Sequence, residues 1–117
     1  KDNHIDACGG IEKAVDRVRR QVSHLVRIEV EAATMAQVRS ALSAGVDVIM
    51  LDNMSDDEIA EALSIIGNKA RVEVSGRIEQ QRLAKLAELG VDIISVGALI
   101  HAARFVDLSM ELKALGD

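Results

Sequence analysis

The chain has 117 residues, 49% of them hydrophobic and 28% charged, with a formal net charge of −5. That length suits one compact domain, and a chain so rich in Val, Ile and Leu is not a disordered one. No apolar run approaches the ~18 residues of a membrane span, and Phe105 is the only aromatic, which argues against a membrane anchor and against a base-stacking nucleic-acid surface.

In chain order, the first periodic segment is Ile11, Ala14, Val15, Val18 and Val22, whose spacing predicts an amphipathic helix. A β-branched run over 25–31 predicts a strand. Thr34 followed by Gln37 has capping-box spacing and opens the next helix, which Gly45 stops. Residues 47–51 read as a second strand. Ser55 and Glu58 repeat the capping box ahead of Ile59, Ala62, Leu63 and Ile66, and Gly67 ends that helix. A third strand covers 71–74, a helix begins near Ile78 and stops at Gly90, and a fourth strand covers 92–96. Strand and helix in alternation predict a parallel sheet with its helices packed outside. Gly45-Val46-Asp47-Val48-Ile49 returns 45 positions later as Gly90-Val91-Asp92-Ile93-Ile94. Each βα unit takes about 22 residues, the length of one step in a barrel or doubly wound sheet. The lone Cys8 leaves no internal disulfide and fits a reducing, cytoplasmic compartment. Because the sequence opens at Lys1 with no Met and no signal-like segment, it reads as a piece of something longer.

Ligands of parallel α/β folds sit at the carboxyl ends of the strands, and those ends are polar here. Lys1-Asp2-Asn3-His4 comes first. Arg27, Glu29 and Glu31 then share one strand face, with Ile28 and Val30 on the other. Asp52-Asn53 closes the second strand. Arg71, Glu73 and Ser75 repeat the alternation, and Ser95-Val96-Gly97-Ala98 ends the series in small residues. On one strand such charges would equally suit a solvent-facing sheet edge. On four strands, all at one end, they point to a lined site, since burying them unpaired would be costly. Ser75-Gly76 and Gly97-Ala98 add backbone amides that a phosphate can approach. Carboxylates beside such turns suggest a phosphorylated sugar, its hydroxyls or an Mg²⁺ ion held by the acids.

Lys1-Asp2-Asn3-His4, Ile28-Glu29-Val30-Glu31, Leu51-Asp52-Asn53-Met54, Glu73-Val74-Ser75-Gly76 and Ser95-Val96-Gly97-Ala98-Leu99 stand in this order. Together they closely resemble quinolinate phosphoribosyltransferase, also called nicotinate-nucleotide pyrophosphorylase (carboxylating), over essentially the whole chain. The resemblance implies that residues 1–117 are the C-terminal portion of an α/β-barrel catalytic domain, a partial TIM-like barrel of about five parallel strands. The family's N-terminal domain and early barrel elements would be absent. It implies transfer of phosphoribose from 5-phosphoribosyl 1-pyrophosphate (PRPP) to quinolinate with decarboxylation, in the presence of Mg²⁺, by a homodimer.

Carried over by position, Lys1 would contact anionic substrate, and Glu31 and Asp52 would hold the ribose hydroxyls or, directly or indirectly, the Mg²⁺. Ser75, Gly76, Arg77, Gly97 and Ala98 would receive the phosphate. Glu29, deeper in the strand, would pair with a basic neighbour. Two departures stand out. Arg77 replaces a second Gly, where it meets positive φ at a cost but brings a cation to the phosphate. Ile100 replaces the usual Thr before His101.

The other candidates are weaker. His4 would shape the site through a hydrogen bond, His24 sits in a loop, and His101 starts a helix or lines the site. Three scattered His and one Cys lack zinc-ligand spacing, and Met50 and Met54 read as core fillers. An alternative is a response-regulator receiver domain with Asp52 as phosphoacceptor. It requires an acidic pair after the first strand and a Lys after the last, and the chain has Lys1-Asp2 and Gly97-Ala98-Leu99 there. About five strands cannot close a barrel, so the segment alone is expected to be inactive and aggregation-prone. With both substrates anionic and a net charge of −5, most basic groups must come from elsewhere in the assembly.

Overall fold

The computed structural model describes residues 1–97 and 100. Helices α1 (Asp2–Cys8) and α2 (Ile11–Arg19) precede strand β1 (Glu29–Ala32). Then follow α3 (Met35–Ser43), β2 (Val48–Asp52), α4 (Asp56–Ile66), β3 (Arg71–Ser75), a 3₁₀ turn (Gln80–Arg82), α5 (Leu83–Leu89) and β4 (Ile93–Ile94). The sheet is parallel throughout, in the order β1-β2-β3-β4. Among the described residues it has four strands, against the about five expected. Lys1 caps α1. Among the described residues no helix is long and apolar enough to cross a membrane.

The strand alternation decides which face is covered. Val30, Ile49 and Val72 lie side by side in register, as do Ala32, Leu51 and Val74. All six are buried against Val38 and Ala41 of α3, Ile59, Ala62 and Ile66 of α4, and Leu86 of α5. The opposite face carries Glu29, Glu31, Met50, Asp52, Glu73 and Ser75, and the helices leave it open. Met54 is a core filler, 4% exposed, but Met50 is not: it stands half-buried between Glu31 and Glu73 on the polar face.

The helix starts follow the local signals. Thr34 accepts from the Gln37 backbone N–H, and Ser55 and Glu58 form a complete capping box, which holds the Glu58 carboxyl below its ordinary range through hydrogen bonds from the Ser55 backbone N–H and hydroxyl. The repeated Gly-Val-Asp has a structural role. Gly45 and Gly90 take positive φ past the ends of α3 and α5, and the Asp that follows each bonds to a neighbouring strand. Asp47 Oδ2 accepts from Ile28 N–H, and Asp92 Oδ2 from Val72 N–H, both at 2.8 Å.

Three boundaries differ from expectation. The first strand starts at Glu29, not near residue 25, because β2, its pairing partner, begins only at Val48; Leu25 is 81% exposed in a turn. The last strand is two residues long, although Asp92 and Ser95 continue its backbone bonding to β3. The helix expected near Ile78 begins two residues later, as the 3₁₀ turn at Gln80 that runs into α5. Gly76 and Arg77 both take positive φ, Ile78 plugs into the core, and α5 starts only after the 3₁₀ turn.

Candidate active site at the carboxyl ends of the strands

The end of β1 presents Glu31, half-buried, with the Lys1 ammonium 3.9 Å from its carboxylate. Lys1 reaches Glu31 from the start of α1, so helix and strand meet at this point. Glu29 lies two residues back on the same face. Among the described residues it forms no ion pair, contrary to the expectation that it would find a basic partner. Desolvation by burial pushes its carboxyl above the ordinary value, and the charges of Glu73 and Glu31 push it the same way, against Lys1. Glu73 is the one charged side chain buried among the described residues, 7% exposed, and accepts a hydrogen bond from the Ser95 hydroxyl. The open face therefore gathers Glu29 and Glu31 of β1 and Glu73 of β3 closely enough that the charges of the latter two act on the Glu29 carboxyl.

Asp52 ends β2 in register with Ser75 at the end of β3. Its carboxylate accepts from the Asn53 side-chain amide at 2.9 Å. Asn53 itself sits at φ 54°, in the left-handed region that Asn tolerates better than most residues. Its backbone N–H donates to the Ser75 carbonyl at 3.0 Å, and its carboxamide lies over Gly76. A Cβ at Gly76 would come within 2.5 Å of Asn53 Oδ1, so Gly76 is required both by its φ of 85° and by this close approach. Arg77 follows at φ 50°, the strained position anticipated for it, and is exposed. Asn53, Gly76, Arg77 and Arg82 border an open cavity of about 470 Å³. Because α5 begins only at Leu83, the Ser75-Gly76 turn does not abut an α-helix N-terminus, and the cavity beside it is lined by Arg77 and Arg82 together with the acidic Asp56 and Glu58.

Gly97 stands exposed in the turn after β4, while Ala98, Leu99 and His101 lie outside the described residues. His4 is exposed and, with Lys1, Arg27 and Glu29, lines a cavity of about 250 Å³. His24 is exposed in its loop. The Asn53–Gly76 contact and the ties made by Arg82 escaped the sequence reading. An Asn directly after a strand-ending Asp is a usable hint of positive φ, but a side chain reaching 28 positions back leaves no local signal.

The family model of the quinolinate phosphoribosyl transferase C-terminal domain matches residues 1–111. A protein of Methanocaldococcus jannaschii named "Probable nicotinate-nucleotide pyrophosphorylase (carboxylating)" is 41% identical over 119 residues, covering 96% of this chain and 42% of that protein. The protein of the same name from Bacillus subtilis is 40% identical over 112 residues, covering 96% and 39%. The crystal structure of NadC from Streptococcus pyogenes superimposes with a TM-score of 0.81 at 39% identity, covering 94% of this chain and 39% of that one. The chain thus spans about two fifths of the length of the curated relatives it matches. Nothing in these likenesses favours a receiver domain. The chain belongs to the quinolinate phosphoribosyl transferase family, within its C-terminal domain.

Proposed function

We propose that the full protein carrying these residues transfers phosphoribose from PRPP to quinolinate, releasing diphosphate and CO₂ and yielding nicotinate mononucleotide, a step of NAD biosynthesis. The observation that carries this reading is the shared open face at the strand ends. It joins Glu31, Asp52 and Ser75, with Lys1 against Glu31 and Gly76 under Asn53. Displacement at the anomeric carbon develops positive charge on the ribose, which fixed carboxylates stabilise without reorganising. Glu31 and Asp52 take that role and hold the ribose hydroxyls. Lys1 binds an anionic group of the substrate, and Ser75, Gly76, Arg77, Gly97 and Ala98 receive the 5-phosphate.

Glu31 and Asp52 offer only carboxylate oxygen, the donor type Mg²⁺ prefers. Among the described residues no three His, Cys, Asp or Glu side chains form a metal cage. That donor set fits an ion held by one or two carboxylates together with the diphosphate oxygens. When bound, it would neutralise charge on the leaving diphosphate. The anionic substrates and the net charge of −5 favour a homodimer in which other parts of the assembly supply basic groups, working in the cytoplasm.

The test is incubation of the full protein with PRPP, Mg²⁺ and quinolinate, following nicotinate mononucleotide by chromatography. Product that requires all three components is expected. Turnover with a different aromatic acid would move the acceptor assignment, and no turnover with any acceptor would overturn the reading.

A further inference from the structure

The segments that follow β2 and β3 are tied together by side chains to which the reading above gives no task. Arg82 closes the 3₁₀ turn after β3 and reaches back to the β2 side. Its Nη2 donates to the Met54 carbonyl at 2.8 Å, and its Nε to Asp56 Oδ1 at 2.7 Å. Lys85, on the first turn of α5, bonds to Asp56 Oδ2 at 2.7 Å. The Arg82 and Asp56 side chains are 21% and 24% exposed, whereas those of the Arg20–Asp16 pair are 77% and 60% exposed. Solvent screening therefore weakens the Arg82–Asp56 pair less.

Met54 and Asp56 flank Ser55, the cap of α4, and Met54 follows Asn53, whose amide rests on Gly76. The two loops are thus joined twice, by Asn53 on Gly76 and by Arg82 on Met54 and Asp56. The cavity of about 470 Å³ opens between these two joints.

We propose that Arg82 is a positioning residue: through Met54 and Asp56 it sets the spacing between the Asp52–Asn53 strand end and the Gly76–Arg77 turn, so that both engage one phosphoribosyl donor at once. The identity of that donor rests on the function proposed above. A planar guanidinium suits the task because it serves a carbonyl and a carboxylate together, which a lysine ammonium does less rigidly.

The test is steady-state kinetics on the full protein, varying PRPP and quinolinate separately. With Arg82→Ala, kcat/KM for PRPP is expected to fall about 10- to 10²-fold, the upper figure being the loss for a bound substrate misplaced by about 1 Å, with KM for quinolinate unchanged. Arg82→Lys should recover part of the loss, and adding Asp56→Asn to Arg82→Ala should cost no more than the separate Lys85–Asp56 contact supplies, since the Arg82–Asp56 bond is already gone. Arg20→Ala, in the exposed pair, should change nothing. If Arg82→Ala fails to fold, Arg82→Gln carries the same criterion. Unchanged kinetics would overturn the proposal, and so would an equal fall in kcat with both substrates, a lower melting temperature and no movement of KM. No turnover by the unmodified protein would instead overturn the functional reading, and the clamp's role with it.

Discussion

The two ends of the sheet use the same residue types for opposite purposes. At the amino ends, Asp47 and Asp92 spend a carboxylate oxygen on a backbone N–H of the neighbouring chain segment. Around them Arg27, Lys69 and Arg71 border an open cavity of about 490 Å³. At the carboxyl ends, among the described residues, Glu31 has only a 3.9 Å approach from Lys1, and Asp52 accepts one bond from its neighbour Asn53. A carboxylate that replaces a missing ladder bond stabilises the fold, whereas one kept off the backbone is available to a ligand. The difference lies in placement. Asp47 and Asp92 stand just before their strands, where a neighbouring N–H needs an acceptor, and Glu31 and Asp52 point sideways from strand ends whose ladders are already made.

The largest expected effect falls at the carboxyl ends. Asp52→Ala or Glu31→Ala in the full protein should lower turnover at least ~10²-fold, the loss typical of removing one transition-state stabiliser, while thermal melting changes little. Near-native rates in both would show that chemistry does not occur at this end. Gly76→Ala comes next. Its Cβ would collide with Asn53, and its φ would be strained by about 1–3 kcal/mol, so both melting temperature and turnover should drop. Adding Asn53→Gly should recover part of the stability.

At the amino ends, Asp47→Ala or Asp92→Ala leaves a backbone donor unsatisfied and should cost about 1–3 kcal/mol in denaturant melts, with kcat of the folded enzyme preserved. The smallest effect belongs to Glu29. Its carboxyl is raised by burial and by Glu73 and Glu31, so in the folded state it binds a proton that the unfolded chain has released. Stability from this group therefore falls as pH rises from the ordinary carboxylate value through the raised one. Glu29→Gln should stabilise the protein at neutral pH, and the gain should vanish in acid below the ordinary value. A gain that persisted there would mean that charge is not its cause.

Much of this contrast is written locally in the chain. The caps at Thr34 and Ser55 and the stops at Gly45 and Gly90 depend on residues within one turn, and each forms where its spacing places it. The period-two alternation of Arg71, Glu73 and Ser75 likewise places the polar face correctly, because side-chain direction in a strand is a local property. Strand lengths are not local. Leu25 and Val26 have β-forming side chains yet lie exposed, since nothing in β2 stands opposite them. The delay of α5 follows from consecutive positive φ at Gly76 and Arg77, which the Gly suggested and the Arg concealed. The Asn53–Gly76 contact and the Arg82 clamp join residues more than twenty positions apart, and only the fold brings them together.

The most direct test of the contrast compares the same truncation at the two ends in the full protein, Asp52→Ala and Asp92→Ala, by kcat and by melting temperature. The expected result is a turnover loss of about 10²-fold for Asp52→Ala with melting little changed, and a lower melting temperature for Asp92→Ala, which leaves the Val72 N–H without its acceptor, with kcat retained. Equal losses of turnover, or a loss confined to Asp92→Ala, would contradict the division of the sheet into a structural end and a chemical one.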